Sequence, residues 1–148
     1  MAQAATTVHA SAVLVGARAI VIRGPSGAGK SRLALALIEA ARAGTLRFAR
    51  LVGDDRVHLE PANGRLLVRP APALAGLIEV RGLGIRRLDH EPQAVVGLVV
   101  DLAAADAERL PETERQHAVI EGLSLPRLAI AAGEEALPAV LAALTCAL

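Results

Sequence analysis

The chain has 148 residues and a formal charge of +1, from sixteen basic and fifteen acidic side chains; 53% of it is hydrophobic and 1% aromatic. That length fits a single domain over residues 1–148 with one core built from Ala, Leu, Val and Ile, and the apolar content is too high for general disorder. With no basic block and one aromatic ring, Phe48, on which a base could stack, nucleic acid is not an expected partner.

Ser11 to Val15 and Ala19 to Ile22 are short apolar runs broken at Gly16, the pattern of two strands joined by a tight turn. His9 lies just ahead of them. A residue before the first strand of such a pair can lie near the end of the second, although a lone histidine close to a terminus is also simply a solvated side chain. After the second strand comes Gly24-Pro25-Ser26-Gly27-Ala28-Gly29-Lys30-Ser31, which fits G-x-x-x-x-G-K-[ST] at every fixed position. Residues Ser31 to Ala43 follow as a run of helix formers, with Leu33, Leu37 and Ile38 on one face and Gly44 at the stop. Strand, glycine turn and helix bring successive backbone N–H groups to a helix N-terminus, where orphan donors and the dipole both favour a phosphate. Lys30 is the only lysine in the chain. The competing interpretation is a Gly/Ser turn capped by Ser31.

Leu46 to Val52 is expected as a buried strand ending in Gly53-Asp54-Asp55. Beside a phosphate loop, one carboxylate at a neighbouring strand end can hold magnesium and a second can take a proton from an attacking hydroxyl. Turns also favour aspartate for purely local reasons. Val57 to Glu60 and Leu66 to Arg69 flank Pro61-Ala62-Asn63-Gly64 as a hairpin, and Pro70 and Pro72 make Ala71 to Gly76 a connection or short helix. Glu79, Arg81, Gly82 and Gly84 then fall in one run, Ile78 to Arg87, where the backbone can turn sharply or approach a ligand; a bend with solvated charges has the same composition.

Val95 to Asp101 is expected as a buried strand, Ala103 to Arg109 as a helix or turn stopped near Pro111, and Gln116 to Ile120 and Arg127 to Ile130 as short strands. Glu134 to Ala147 is expected as a closing helix with Leu137, Val140, Leu141 and Leu144 on one face and Pro138 in its first turn. A lone cysteine, Cys146, allows neither a disulfide framework nor a thiolate metal cluster. Met1 to Ala12 lacks a signal-peptide pattern, and no apolar run reaches the ~18 residues of a membrane span, so a cytoplasmic protein without membrane contact is expected.

Three sites in this order and spacing resemble the catalytic domain of HPr kinase/phosphorylase, the bacterial serine kinase of the phosphocarrier protein HPr. The most specific element is Leu77-Ile78-Glu79-Val80-Arg81-Gly82-Leu83-Gly84-Ile85, supported by the phosphate loop and Asp54-Asp55. The resemblance implies an α/β phosphate-loop fold, a mixed sheet with flanking helices, acting with ATP and Mg2+ on a serine of HPr. It implies that residues 24–31 (Gly24, Pro25, Ser26, Gly27, Ala28, Gly29, Lys30, Ser31) hold the nucleotide, with Lys30 on its terminal phosphates. Asp55 matches the catalytic base, with Asp54 supporting magnesium beside it. Ser31 and Glu79 match magnesium ligands, His9 the active-site histidine, Arg81 a loop used in both directions of the reaction, and Arg109 a further catalytic arginine. A small-molecule kinase, or a nucleotide-sensing module without turnover, is the alternative.

Two departures from the family pattern matter. Its longer members carry an additional N-terminal domain, so this chain resembles the short form. Where the family has a basic, proline-bearing loop important for dephosphorylation, residues 131–136 read Ala-Ala-Gly-Glu-Glu-Ala. An acidic loop repels a phosphorylated substrate, so kinase activity is expected with little phosphorylase activity. The curtailed C-terminal helix leaves the family's hexamer an open expectation.

Overall fold

The computed structural model describes residues 7–146. β1 (Thr7–Val15) and β2 (Arg18–Arg23) form the expected hairpin, with Ser11 opposite Ile22 and Val15 opposite Arg18. β1 then divides its other edge between two partners: its first residues pair β4 (Arg56–Ala62), and Ala12 to Val15 pair β3 (Ala49–Gly53). β4 turns through Asn63-Gly64 into β5 (Arg65–Pro70), which pairs the start of β8 (Ala94–Asp101). β8 lies parallel to β2. The path β2-β1-β4-β5-β8 therefore returns to β2, closing a small ring of strands. β10 (Leu123–Ala129) extends it parallel to β8, with β9 (His117–Ile120) antiparallel outside, while β6 (Leu77–Val80) and β7 (Gly84–Arg87) form a separate two-stranded ribbon.

Alternation along the strands divides the core in two. Ala10, Ala12, Ala19, Val21, Val52, Val57, Leu66, Val68 and Val99 fill one side, and the small alanines let the strands curve closely around it. Val13, Ile20, Ile22, Leu51 and Val100 point the other way, onto α1 (Lys30–Arg42) and α2 (Leu137–Thr145). α1 meets them with Leu33, Ala34, Leu37 and Ile38. Leu37 is fully buried, so Leu37→Ala costs about 2–5 kcal/mol.

Four boundaries differ from the sequence expectation by three residues or more, each for a local reason. β1 starts at Thr7 and not at Ser11, so His9 lies inside the strand and not ahead of it, because Thr7 to His9 pair with β4. Leu46 is buried, yet β3 starts only at Ala49, because the N–H groups of Thr45 and Leu46 are spent closing the end of α1 on the Ala40 carbonyl. Of the helix or turn expected over Ala103 to Arg109, the turn formed: Ala103 has φ 52° and the Ala104 N–H bonds to the Ile130 carbonyl. Pro126 sits inside β10, tolerated because β8 pairs only from Arg127 onward. α2 starts at Leu137, after Gly133 (φ 82°) and the Glu134 to Ala131 turn; Ala147 and the segment before Thr7 lie outside the described residues. Among the described residues no helix is long and apolar enough to cross a membrane.

Candidate active site

Pairing fixes where the chemistry gathers. β2, β8 and β10 run in one direction, and β3 shares it because both β2 and β3 are antiparallel to β1. Four carboxyl ends therefore meet at one end of the sheet, the end where α/β proteins place ligands. The glycine loop follows β2, Asp54-Asp55 follows β3, Leu102-Ala103 follows β8, and Ile130 to Leu137 follows β10. His9, near the start of the antiparallel β1, reaches the same end.

In the glycine loop, Gly29 caps α1 with φ 101°, a backbone state a β-carbon resists, and has no side chain to bond the helix donors. The first helical bond runs from Leu33 N–H to the Gly29 carbonyl, so the N–H groups of Lys30, Ser31 and Arg32 face outward without helical partners. No acidic residue stands in the first turn to compete for them. Lys30 folds its ammonium back over the loop, donating to the carbonyls of Gly24 (2.8 Å) and Pro25 (3.1 Å). The loop also forms one wall of a cavity of about 610 Å³, closed opposite by Leu102, Ala103 and residues 130–137. That wall is mostly Gly, Ala and Leu, with Arg32 and Glu135 paired across the rim at 2.8 Å.

Asp54 is 3% exposed and accepts from three sides. Ser31 Oγ lies 2.8 Å from each carboxylate oxygen, Ser11 Oγ donates to Oδ1 at 2.5 Å, and the Glu79 N–H donates to Oδ2 at 3.1 Å. Gly53 makes the approach possible: a β-carbon there would stand 2.8 Å from Val57 Cγ1 and 3.1 Å from Pro70 Cα. The Glu79 side chain is exposed, and its backbone N–H ties it to Asp54. Ser31, Asp54 and Glu79 are all oxygen donors, and no group of three His, Cys, Asp or Glu side chains gathers among the described residues. Such a partial, hard donor set fits a cation that keeps waters and phosphate oxygens in its shell, as Mg2+ does.

Asp55 has the opposite setting. Its side chain is 67% exposed, its φ is 68°, and the Arg56 N–H bonds back to the Asp54 carbonyl at 2.8 Å. A two-residue bond around a positive-φ centre is a strained turn, of the kind that gathers at functional sites. Across from it, His9 Nδ1 lies 3.9 Å from Asp55 Oδ1, and His9 Nε2 lies 2.9 Å from the Arg56 guanidinium. Arginine has no acceptor, so that contact requires Nε2 to accept and leaves the ring proton on Nδ1, toward Asp55.

His9, Lys30, Ser31, Asp54 and Asp55 thus gather at one mouth, with Glu79 tied in through its backbone. Arg81 is exposed in the turn of the β6–β7 ribbon, and Arg109 is exposed on the connection after β8, where its side chain forms no hydrogen bond or ion pair among the described residues. Two features were missed in the sequence. Ser11 reads as the first residue of an apolar strand; the available signal was a hydroxyl set between Ala10 and Ala12 in an otherwise apolar stretch. The second is a chain of ion pairs, Arg23–Asp101–Arg127–Asp106, which ties the ends of β2, β8 and β10 beneath the glycine loop. Burial disfavours charge on Asp101, but the hydrogen bonds and charges of Arg23 and Arg127 outweigh it and hold its pKa below 3.8.

Strand, glycine loop and helix at the carboxyl ends of parallel strands define a mixed α/β domain organised around one loop. The family is then specific: residues 1–141 match the model of the HPr serine kinase C-terminal domain, and the chain belongs to that family. An HPr kinase/phosphorylase of Geobacillus thermodenitrificans is 35% identical over 136 residues, covering 84% of this chain and 42% of that protein. One from Clostridium beijerinckii is 42% identical over 80 residues, 54% of this chain and 24% of that protein. The chain thus spans less than half the length of these curated relatives. The structure of the HPr(Ser) kinase/phosphatase from Coxiella burnetii superposes with a TM-score of 0.73 at 22% identity, over 94% of this chain and 88% of that one, a likeness of fold.

Proposed function

We propose that this chain is an ATP- and Mg2+-dependent protein-serine kinase acting on HPr, with residues 1–148 forming one catalytic domain. The observation that carries the reading is the pairing of a buried carboxylate on the loop serine, Asp54 with Ser31, with an exposed carboxylate next to it, Asp55 beside His9. Phosphoryl transfer asks a protein chiefly for positioning and charge neutralisation. The loop N–H groups cradle the phosphates, and Lys30 exchanges its two carbonyl partners for terminal phosphate oxygens. The cavity between the glycine loop and residues 130–137 is large enough for the rest of a nucleotide.

Ser31, Asp54 and Glu79 would hold Mg2+, which when bound neutralises charge on the phosphate oxygens. Asp55 takes the proton of the acceptor serine as its oxygen bonds the γ-phosphorus and the bond to ADP breaks; the exposed carboxylate can be reached by a protein substrate. His9, with Nδ1–H toward Asp55, steadies that carboxylate. Arg81 and Arg109, which the resemblance assigns to catalysis, would add positive charge toward the phosphoryl group once substrate is bound.

Glu134 and Glu135 occupy the rim of the cavity, and Arg32 is engaged by Glu135. The acidic rim supports a kinase with weak phosphorylase activity. Incubation with labelled ATP, Mg2+ and HPr tests the proposal: label on an HPr serine is expected, and its absence removes the reading.

A further inference from the structure

Among the described residues, two polar side chains are buried, Ser11 at 0% and Asp54 at 3% exposure, and they bond each other. Ser11 stands in β1 between the two strands whose ends build the site. It lies opposite Ile22, two residues before Gly24, and its neighbour Ala12 lies opposite Gly53, one residue before Asp54. A buried hydroxyl in an apolar strand gains nothing over alanine in packing and needs a partner, and Asp54 Oδ1 is its hydrogen-bond partner.

The geometry points to Ser11 as a positioning residue that fixes the Asp54 carboxylate for cation binding. Rotation of an aspartate about its last torsion is soft. Ser31 Oγ does not stop that rotation, because it lies 2.8 Å from both oxygens and has one proton to give. Two donors on different oxygens do: Ser11 on Oδ1 and the Glu79 N–H on Oδ2. With its plane fixed, Asp54 accepts the hydrogen bond of the Ser31 hydroxyl and leaves the lone pairs of Ser31 Oγ toward the mouth. Removing Ser11 leaves one fixed donor, and the carboxylate can turn away from the cation. This rests on the reading of Ser31 and Asp54 as the cation-holding pair.

Ser11→Val and Ser11→Thr test it, since valine and threonine have nearly the same shape and differ in the hydroxyl. The readout is Mn2+ binding in the presence of ADP, followed by the electron paramagnetic resonance of free Mn2+, with metal-free ADP binding measured alongside. Ser11→Thr is expected within about two-fold of the native chain, and Ser11→Val roughly ten-fold weaker for Mn2+, the scale of losing a partner that orients a ligand; metal-free ADP affinity stays unchanged. Equal Mn2+ affinity in Ser11→Val and the native chain, or equal loss in both variants, overturns the inference. If either β-branched variant does not fold, Ser11→Ala against the native chain decides it: ten-fold weaker Mn2+ binding supports the role and no change removes it. Phosphate transfer to HPr, measured on the same samples, separates the two ideas. A native chain that binds Mn2+ but phosphorylates nothing overturns the kinase reading and leaves Ser11 judged by the metal data alone.

Discussion

Asp54 and Asp55 are adjacent in the chain and opposite in environment: Asp54 is 3% exposed beneath Ser11, Ser31 and the Glu79 N–H, whereas the Asp55 side chain is 67% exposed beside His9. A single step along the backbone, through a turn with φ 68° at Asp55, separates a carboxylate suited to hold a cation from one suited to receive a substrate proton.

Their substitutions should therefore fail in different ways. Asp55→Asn is expected to lower phosphate transfer by ~10²–10⁴-fold, the range of general-base catalysis, with ADP and Mn2+ binding retained. Asp54→Asn turns an amide donor toward groups that already donate, so it is expected to weaken Mn2+ binding and to cost about 1–3 kcal/mol of stability by urea unfolding. Identical kinetic and stability profiles for the two variants would contradict the division of roles.

The strained turn gives a second expectation. Asp55→Gly removes the β-carbon from a positive-φ residue, so unfolding free energy should rise by about 1 kcal/mol while transfer is lost. A stability measurement unchanged or lower in Asp55→Gly would mean that the turn stores no strain.

Acid sensitivity should trace to the ion-pair chain under the glycine loop. Asp101 has its folded pKa held below 3.8 by Arg23 and Arg127 against the opposing effect of burial. A depressed carboxylate pKa contributes stability that is present above the unfolded value and lost as pH falls through the folded one. Arg127→Met removes part of that depression, so its deficit against the native chain should be full near neutrality and shrink as pH drops below about 4. A deficit independent of pH would assign Arg127 a packing role alone.

Reversing the rim charge tests the acidic loop. Glu134→Arg with Glu135→Arg is expected to raise phosphate release from seryl-phosphorylated HPr, because both charges then attract the phosphoryl group. Rapid release by the native chain sinks the argument.

Local chemistry carried much of this fold in the sequence. The glycine loop, α1 with Leu33 and Leu37, the Asn63-Gly64 hairpin and the apolar face of α2 follow from patterns a few residues long, and each formed as an element. Elements whose ends depend on distant partners shifted. Pro126 entered β10 because of where β8 stops pairing. Between the helix and the turn left open for Ala103 to Arg109, the turn formed because its backbone and Asp106 are held by Ile130 and Arg127. In the site, residue types and spacing named Ser31, Asp54 and Asp55. The resemblance gave the two aspartates different roles, but their opposite burial was not legible, since the bulge between Ala12 and Val13 of β1 and residues 51–53 of β3 is invisible in the spacing. Ser11 was hidden for the same reason: its partner is forty-three positions away.

The most direct measurement is transfer from γ-labelled ATP to HPr with Mg2+, native chain against Asp55→Asn. The account predicts phosphoserine on HPr with the native chain and loss of ~10²-fold or more with Asp55→Asn at unchanged nucleotide affinity. No phosphoserine from the native chain, or equal transfer by the variant, would contradict it.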